Sequence, residues 1–570
     1  MSAVDGFFRR IEVTSQIREE GALVVKQASL AVGLVSTARN PNIIETIRLS
    51  QGFDKRHSEL TNAAGVLFAG SLRGVEKESL RIGSDGYLSR TPHPVRLGSA
   101  LSHRYITTDF SEALLEFVTP AFSSTWEALH FLCDIHQFTY DRLGDEMLWV
   151  ASMPCRIPGD MEIPLAKYGT SNVGQMKTIY RRGLGLRYGR QMQTIAGVHF
   201  NYSLAESFWP RYQQIIGDDR REDEFRSDHY LRLIRNFRRF GWLVLYLFGA
   251  SPAMCKSFAR EDEFDMPSLN AETWYEPYGT SLRMSDLGYS NQNQSRINIS
   301  LNSLDSYIRD LSSAIRTPEP DYEKIGVKVD GKYRQLSVNQ LQIENEYYSS
   351  VRPKRVAVSG ERPTAALRRG GIEYVEIRSL DINFNDPAGI NQNTMRFIEA
   401  FLIYCLLEDS APFDDASLNE TKRNQTQTAK HGRDPEFRLH RDGREVELAV
   451  WAREILDKIS AIAELIDREE GGESYAQATR LMLDMVNDVE TTPSARLLAE
   501  LRKEDCSFFE YALSLASNHR DYWSEITPLS DDRVVEFEQE TAQSVERQRA
   551  IEESDEISLD EYLESYFSSD

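Results

Sequence analysis

Two short stretches of this chain place ionisable side chains at every second position, the spacing that puts them on one face of a β-strand. In Gly74-Val-Glu76-Lys-Glu78-Ser-Leu-Arg81, Glu76 and Glu78 share a face. In the run from Gly370 to Asn383, Glu376 shares a face with Ile372, Tyr374 and Arg378, while Glu373, Val375 and Ile377 fall on the other. A Glu and an Arg two apart on an exposed strand need be no more than an ion pair worth about 0 to 1 kcal/mol. Two carboxylates side by side are different, because they repel unless cations lie between them. The two stretches together read as a multi-carboxylate magnesium site.

A third acidic stretch, Tyr105 to Pro120, carries Asp109, Glu112 and Glu116. As a strand it aligns Glu112, Leu114 and Glu116; as a helix it aligns Asp109, Glu112 and Glu116. Its β-branched residues and Pro120 favour the strand. Other enzyme chemistries find little support. No Gly-x-x-x-x-Gly-Lys-Ser/Thr occurs, which excludes a P-loop, and Gly-x-Ser-x-Gly is absent. Gly183-Leu-Gly185-Leu-Arg-Tyr-Gly189 has the wrong spacing for a dinucleotide loop. A cysteine nucleophile paired with His199 has no local motif behind it. What remains is Glu76, Glu78, Asp109, Glu116 and Glu376, interleaved with Arg283, Arg378 and His199. Hard oxygen ligands in this number suit Mg²⁺ held against nucleotide phosphates, and the arginines suit a substrate carboxylate or a transferring phosphoryl group. The chemistry is phosphoryl transfer.

The elements that must hold these groups are partly legible. Ile17 to Val35 reads as a helix broken at Asn40-Pro41-Asn42, and Lys55 to Ser71 as an amphipathic helix leading into the first acidic strand. Ser124-Thr-Trp-Glu127 is a capping box, with Trp126, Leu129, Cys133, Tyr140 and Leu143 following at helical spacing. His130 and His136 in that helix read as structural. Tyr230 to Phe248 reads as one buried aromatic helix ended by Gly249, and further helices fall at Thr394 to Glu408, Glu445 to Asp467, Tyr475 to Asp488 and Ala495 to Leu501. Between them, Met176 to Gly183, Met192 to Asn201, Ser281 to Tyr289, Gln342 to Tyr348 and Arg352 to Arg355 read as loops rich in groups that recognise small molecules; Lys354 and Arg355 are left unassigned.

The chain has 570 residues and 41% hydrophobic composition, enough for a large core. It has no apolar run of 18 residues and no evident secretory signal, which points to a cytoplasmic protein with no membrane partner. The five cysteines are scattered and read as free thiols of a reducing compartment. A net charge of −22 argues against nucleic acid, whose phosphates need clustered Lys and Arg. Half of that charge lies in residues 531–570, fourteen Asp or Glu against three Arg, which reads as a solvated, frayed helical end.

The segments around Glu76 to Arg81, Ile106 to Pro120, Tyr168-Gly-Thr-Ser-Asn172, Lys177 to Gly183, Met192 to His199, Leu247 to Pro252, Ser281 to Tyr289, Gln342 to Glu346 and Gly370 to Asn383 resemble, in order, those of glutamate–cysteine ligases of the proteobacterial type. The resemblance is dense over residues 70–410, thinner beyond, and does not cover about the first 50. It implies an α+β fold with a glutamine-synthetase-like curved antiparallel sheet forming a funnel, and a helical C-terminal region. It also implies ATP as co-substrate with two or three Mg²⁺ ions, or Mn²⁺ in their place, and L-glutamate and L-cysteine as substrates of a monomeric enzyme. Glu76, Glu78, Asp109, Glu116, His199 and Glu376 then stand where the family's metal ligands stand. Arg283 and Arg378 stand where it binds substrate carboxylate and the transferred phosphate, making Arg378 and Glu376 the catalytic pair. Tyr180, Tyr289 and Tyr348, with Phe110, Leu184 and Gln193, match its cysteine pocket. By residue type alone His199 reads as a packed core residue, and the resemblance reverses that.

The implied division is an extension over 1–50, a catalytic domain over 51–410, a helical region packed on it over 411–530, and an acidic tail over 531–570. The polar segment Lys422 to Val446 departs from the family pattern. Two competing readings are a sister carboxylate–amine ligase with another amine acceptor, which would change the tyrosine pocket, and an inactive scaffold relative, which would lose metal-position carboxylates. Both sets of residues are present.

Overall fold

Strand β1 (Leu72–Ile82) alternates as its sequence requires, with Glu76 and Glu78 on one side and Val75, Lys77 and Ser79 on the other. It is the centre of an antiparallel sheet in the computed structural model. The structure describes residues 41–63, 67–154, 156–157, 159–258, 266–287, 294, 297–358 and 360–568, with side chains from residue 52 onward. Met1–Gln51 and Gly52–Asp570 are separate compact units. Of the first, only the backbone opening the helix α1 (Pro41–Asn62) is described; the expected helix at Ile17 to Val35 lies outside the described residues. The sheet and the helices that cover it lie in the second unit.

On one side β1 pairs with β3 (Leu114–Val118), which pairs with β2 (Ile106–Thr108). On the other it pairs with β5 (Val198–Ser203), then β12 (Tyr374–Leu380), then β11 (Val351–Lys354), and the short β4 (Met147–Leu148) joins its end. Smaller pieces are the sheet of β6 (Ala253–Cys255), β8 (Thr273–Tyr275) and β7 (Ser268–Asn270) and the hairpin of β9 (Lys328–Val329) with β10 (Lys332–Tyr333). The register sets Glu76 opposite His199, Glu78 opposite Glu116, and Glu376 opposite both Asn201 and Arg352. Directly paired residues share a face. One face of the sheet therefore carries Glu76, Glu78, Glu116, His199, Glu376 and Arg352, and the other carries Val75, Phe117, Phe200, Ile377 and Val351, together with the buried Arg73 and Lys77.

That apolar face is covered by α2 (Thr125–Leu143) over β1 and β3, and by α5 (Glu222–Phe240) and α6 (Trp242–Phe248) over β12, with the short α4 (Phe208–Ile216) packed against α5. Behind them runs the helix Gln392–Leu407, buried at every position from Phe397 to its end, as a helix enclosed on all sides must be apolar all round. Leu448–Glu470 and Ser474–Asn487 pack on it in turn. The α+β class with an antiparallel sheet and a helical C-terminal region is as expected.

Several local expectations are corrected. Tyr105 to Pro120 is a hairpin of β2 and β3 rather than one strand, because Asp109 to Ala113 turn back and leave Glu112 accepting from the backbone N–H of His93 and Lys167. Met176 to Gly183, read as loop, is part of a long helix, α3 (Asn172–Tyr188), and His199 to Asn201, also read as loop, is strand, where Val198, Phe200 and Tyr202 alternate with polar residues at period two. Tyr230 to Phe248 is split at Gly241 into α5 and α6.

The acidic tail is not a solvated end. Asp531–Glu553 is a helix whose Phe537, Glu540 and Ser544 recur at helical spacing and are buried, while most of its other acids face water. Ser544 Oγ accepts from Ser99 N–H at 2.9 Å, and the Phe537 ring lies 5.0 Å from Phe138 and 5.5 Å from Phe131. The last helix, Leu559–Ser568, buries Leu563 against Met176, Ile179 and Leu336. Phe537→Ala is therefore expected to destabilise the protein by about 3 to 5 kcal/mol, read as a lower urea midpoint. A free tail would leave that midpoint unmoved.

Candidate active site

The sheet brings Glu76, His199 and Glu376 from three adjacent strands to one point, where one ligand atom from each lies within 4.8 Å of the others. His199 Nδ1 is 3.0 Å from Glu76 Oε2 and 3.6 Å from Glu376 Oε1. Its other ring nitrogen, Nε2, lies on the side of Glu78, whose Oε1 is 3.9 Å away. Asn201 Nδ2 donates to Glu76 Oε1 at 2.9 Å, and the backbone N–H of Gly197 donates to Glu78 Oε2 at 2.8 Å. Arg378 Nη1 donates to Glu376 Oε1 at 2.8 Å, and Lys354 Nζ sits 3.3 Å from the other oxygen.

The acids are not alike electrically. Burial opposes the charge on Glu376, but Lys354, Arg378, His199 and Arg352 outweigh it and hold Glu376 well below the usual carboxylate range. Burial also opposes ionisation of Glu76, yet the His199 hydrogen bond carries it below its ordinary value. Glu116, on the side away from those cations, is pushed well above its ordinary value by burial and by Glu76, Asp109 and Glu78. Glu78 is raised too, by burial and by Asp109, against the pull of His199 and Arg283. The face thus grades from a cation-rich side at β11 and β12 to a side at β1 and β3 where burial and anion crowding outweigh the nearby cations. That surplus of buried acid oxygens suits hard divalent cations.

Arg283 lies in a turn after β8 and is buried, donating from Nη2 to the backbone oxygen of Arg378 at 2.8 Å. Tyr348 donates from its hydroxyl to Met284 Sδ at 3.4 Å, and burial raises its pKa although Arg283 and Arg378 lie close enough to oppose this. Tyr180 stands on α3 within the field of Asp109, Arg352 and Glu346. On the same helix Arg181 donates to the backbone oxygen of Asp109, and the Lys177 amine is lowered to about 8 by burial and by Arg181. Phe110 is buried, its ring tip near Gly185 of α3. Gln193 is in a 3-10 turn at Met192–Thr194 and Leu184 near the end of α3. Among the described residues no hydrogen bond or ion pair joins Leu184 or Gln193 to the carboxylates, and Tyr289 lies outside the described residues.

Sequence reading missed Asn201, Arg352 and Asp381. Asn201 and Arg352 could have been found from period two, since each follows or precedes an identified group by two residues on a strand; Asp381, buried behind Arg283, had no such signal. Lys354 joins Glu376, whereas Arg355 turns away to the carbonyl oxygens of Gly370 and Gly371. Of the two helical histidines, His136 is buried between Lys77 and the ring of Trp523, and His130 pairs with Asp134 at 3.5 Å.

The family model for glutamate–cysteine ligase matches residues 59–428, a span that contains every one of these groups. The chain belongs to the glutamate–cysteine ligase family. It is 49% identical over 520 residues to the glutamate–cysteine ligase of Alcanivorax borkumensis, covering 90% of this chain and 98% of that one. It is 45% identical over 519 residues to that of Pseudomonas aeruginosa, covering 91% and 98%. Among solved structures, the crystal structure of the Francisella tularensis glutamate–cysteine ligase in complex with AMP superposes with a TM-score of 0.82 at 35% identity, over 88% of this chain and 98% of that one. A bifunctional glutathione synthetase from Pasteurella multocida, at 23% identity and a TM-score of 0.65, shares the fold. Like its relatives in proteobacteria, this member of the glutamate–cysteine ligase family is a ligase.

Proposed function

We propose that the chain joins the γ-carboxylate of L-glutamate to the amine of L-cysteine at the expense of ATP, the first step of glutathione synthesis, on the charged face of its sheet. The observation that carries the reading is the convergence of Glu76, Glu78, Glu116, His199 and Glu376 on adjacent strands beside Arg378, within a family match that covers them all. A carboxylate is a poor electrophile, so ATP first converts it to a γ-glutamyl phosphate; the cysteine amine then attacks the carbonyl carbon and phosphate leaves.

Glu76, Glu78, Asp109, Glu116, His199 and Glu376 would hold two or three Mg²⁺ ions. The donor set fits, since five acids and an imidazole crowd together, and burial with Glu76, Asp109 and Glu78 pushes Glu116 well above the ordinary carboxylate range. Bound Mg²⁺ would neutralise phosphate charge during the transfer. The chain's own residues do the rest. Glu376, held well below the usual carboxylate range with Lys354, Arg378 and Arg352 around it, fixes Arg378 at 2.8 Å so that its guanidinium meets the oxygens of the transferring phosphoryl group. Arg283 takes a substrate carboxylate. Tyr180 and Tyr348, with Phe110, Leu184 and Gln193, enclose the cysteine side chain, where aromatic rings give a thiol contacts of about 0.3 to 1.5 kcal/mol and exclude larger competitors; Tyr289 is proposed for the same pocket by its place in the family motif. The enzyme works as a cytoplasmic monomer; four of its cysteines carry free thiols, as a reducing compartment keeps them. Among the described residues no helix is long and apolar enough to cross a membrane.

The test is ADP release with ATP, Mg²⁺ and L-glutamate, with and without L-cysteine, compared with L-2-aminobutyrate, alanine and ammonia. Cysteine-dependent ADP with a γ-glutamyl product by mass spectrometry supports the reading. Turnover only with another amine moves the chain to a sister ligase, and none with any amine to a scaffold. Mg²⁺ without nucleotide is expected to raise the melting temperature, by the equivalent of about 2.7 kcal/mol at a hundred times its dissociation constant, and EDTA to reverse it. An unchanged melting curve at millimolar Mg²⁺ would remove the carboxylates from the metal role.

A further inference from the structure

We propose that Asp381 is a positioning residue that aims Arg283 at one amino-acid substrate, an inference that rests on the ligase reading. Asp381 follows directly on β12, just past a bulge that lies between Ile377 and Leu380. It is buried. Its Oδ2 accepts from the backbone N–H of Ala250 at 2.9 Å and from Ser251 Oγ at 2.6 Å; its Oδ1 accepts from Ser281 Oγ at 2.9 Å and lies 3.7 Å from Arg283 Nη1. Three donors from two separate loops thus hold the carboxylate still behind the guanidinium.

Two further contacts define where the guanidinium can go. It lies so close on Gly197 that a Cβ there would come within 2.1 Å of Nη2, and Nη2 donates to the backbone oxygen of Arg378. Gly197 is the residue whose N–H binds Glu78, and Arg378 is the phosphate-facing arginine. Arg283 is therefore clamped between Asp381 behind it, a bare peptide beside it, and the bulged strand that carries Arg378. A side chain fixed on three sides by elements of the site transmits a shift of its anchor to the substrate, where about 1 Å of misplacement matters. The competing account is that Asp381 only compensates a buried charge. The two accounts differ in which constants move.

The experiment uses the full-length protein with Asp381→Asn, Ser251→Ala, Arg283→Lys and the Asp381→Asn/Arg283→Lys double variant. The KM for L-glutamate, L-cysteine and ATP, kcat and the melting temperature are measured for each. Asp381→Asn is expected to raise the KM of one amino acid by about ten- to a hundred-fold while the KM for ATP stays within about threefold; Ser251→Ala moves the same constant less, and the double variant is no worse than Arg283→Lys alone. Equal changes in all three KM values, a loss seen only in melting temperature, or effects that multiply in the double variant would overturn the proposal. Should Asp381→Asn not fold, Ser251→Ala is judged on the same constants. Wild-type turnover decides the ligase reading separately. If the wild type shows none, calorimetric titration of each amino acid into wild type and Ser251→Ala decides this point: weaker binding of one supports it, and no difference for either overturns it.

Discussion

Replacing Glu376 by Gln is expected to lower cysteine-dependent ADP release by at least about 10² to 10³-fold with the protein still folded. The size follows from how many groups converge on this one carboxylate. Arg378 donates to it, Lys354 and His199 lie within 3.6 Å, and Arg352 is its partner across β11. Gln keeps the shape and removes the charge. It leaves Lys354, Arg352 and Arg378 facing one another with no anion between them, and repulsion swings Arg378 away from the phosphoryl group it must meet. The same variant is expected to lose most of the Mg²⁺-induced rise in melting temperature. Activity within tenfold of wild type would mean that Glu376 neither holds metal nor fixes Arg378. A protein that no longer melts cooperatively would leave rate and fold confounded, so Glu116→Gln serves as a second case: it removes an acid that burial and neighbouring acids push well above its ordinary range, and is expected to fold normally while weakening Mg²⁺ binding.

A stability effect as large as that of Phe537→Ala is expected on the opposite face. Arg73 of β1 donates from Nε to Glu399 Oε2 at 2.9 Å, and the Tyr475 hydroxyl donates to the same oxygen at 2.9 Å. Arg73 and Glu399 are both buried, and the pair ties the central strand to the helix Gln392–Leu407 and to Ser474–Asn487. Burial works against the charge on Arg73, but Glu399 overrides it and keeps the guanidinium ionised more firmly than usual. Glu399→Ala strands that charge in the core at a cost of about 3 to 5 kcal/mol. The urea midpoint should fall accordingly, with little change in the KM of the enzyme that remains folded. Replacing both partners, Arg73→Met with Glu399→Leu, is expected to recover most of the loss, because apolar groups of similar volume need no compensation. A Glu399→Ala protein within about 1 kcal/mol of wild type would show that water or Glu470, 3.5 Å from Arg73, takes over the pairing.

Local spacing carried much of the site. Period two in Glu76–Glu78 and in Glu376–Arg378 announced shared strand faces, because side-chain alternation is a property of one strand and needs no partner. Helices with an apolar stripe or a clear cap, at Thr125–Leu143, Gln392–Leu407, Leu448–Glu470 and Ser474–Asn487, were legible for the same reason, whereas the capped helices Asp415–His431 and Phe508–Glu525 were missed. Motif order from Glu76 to Asn383 carried the family, and with it a role for His199 that its residue type argued against.

Tertiary structure alone decided which strands are neighbours. His199 lies between Glu76 and Glu376 only because β5 pairs with both β1 and β12 in a register set by non-local hydrogen bonds. The gradient from a Glu376 held below its ordinary range to a Glu116 pushed above it follows from that order, since it depends on which charges stand across the sheet from which acids. Asp381 joined Arg283 through loops distant in the chain, and no local pattern could announce it. The tail was misread for a related reason: its net charge is local, but Phe537 and Leu563 are buried by surfaces on α2 and α3 that exist only once the rest of the chain has folded. Composition reports how a segment interacts with water, and only the assembled core reports what it displaces water from.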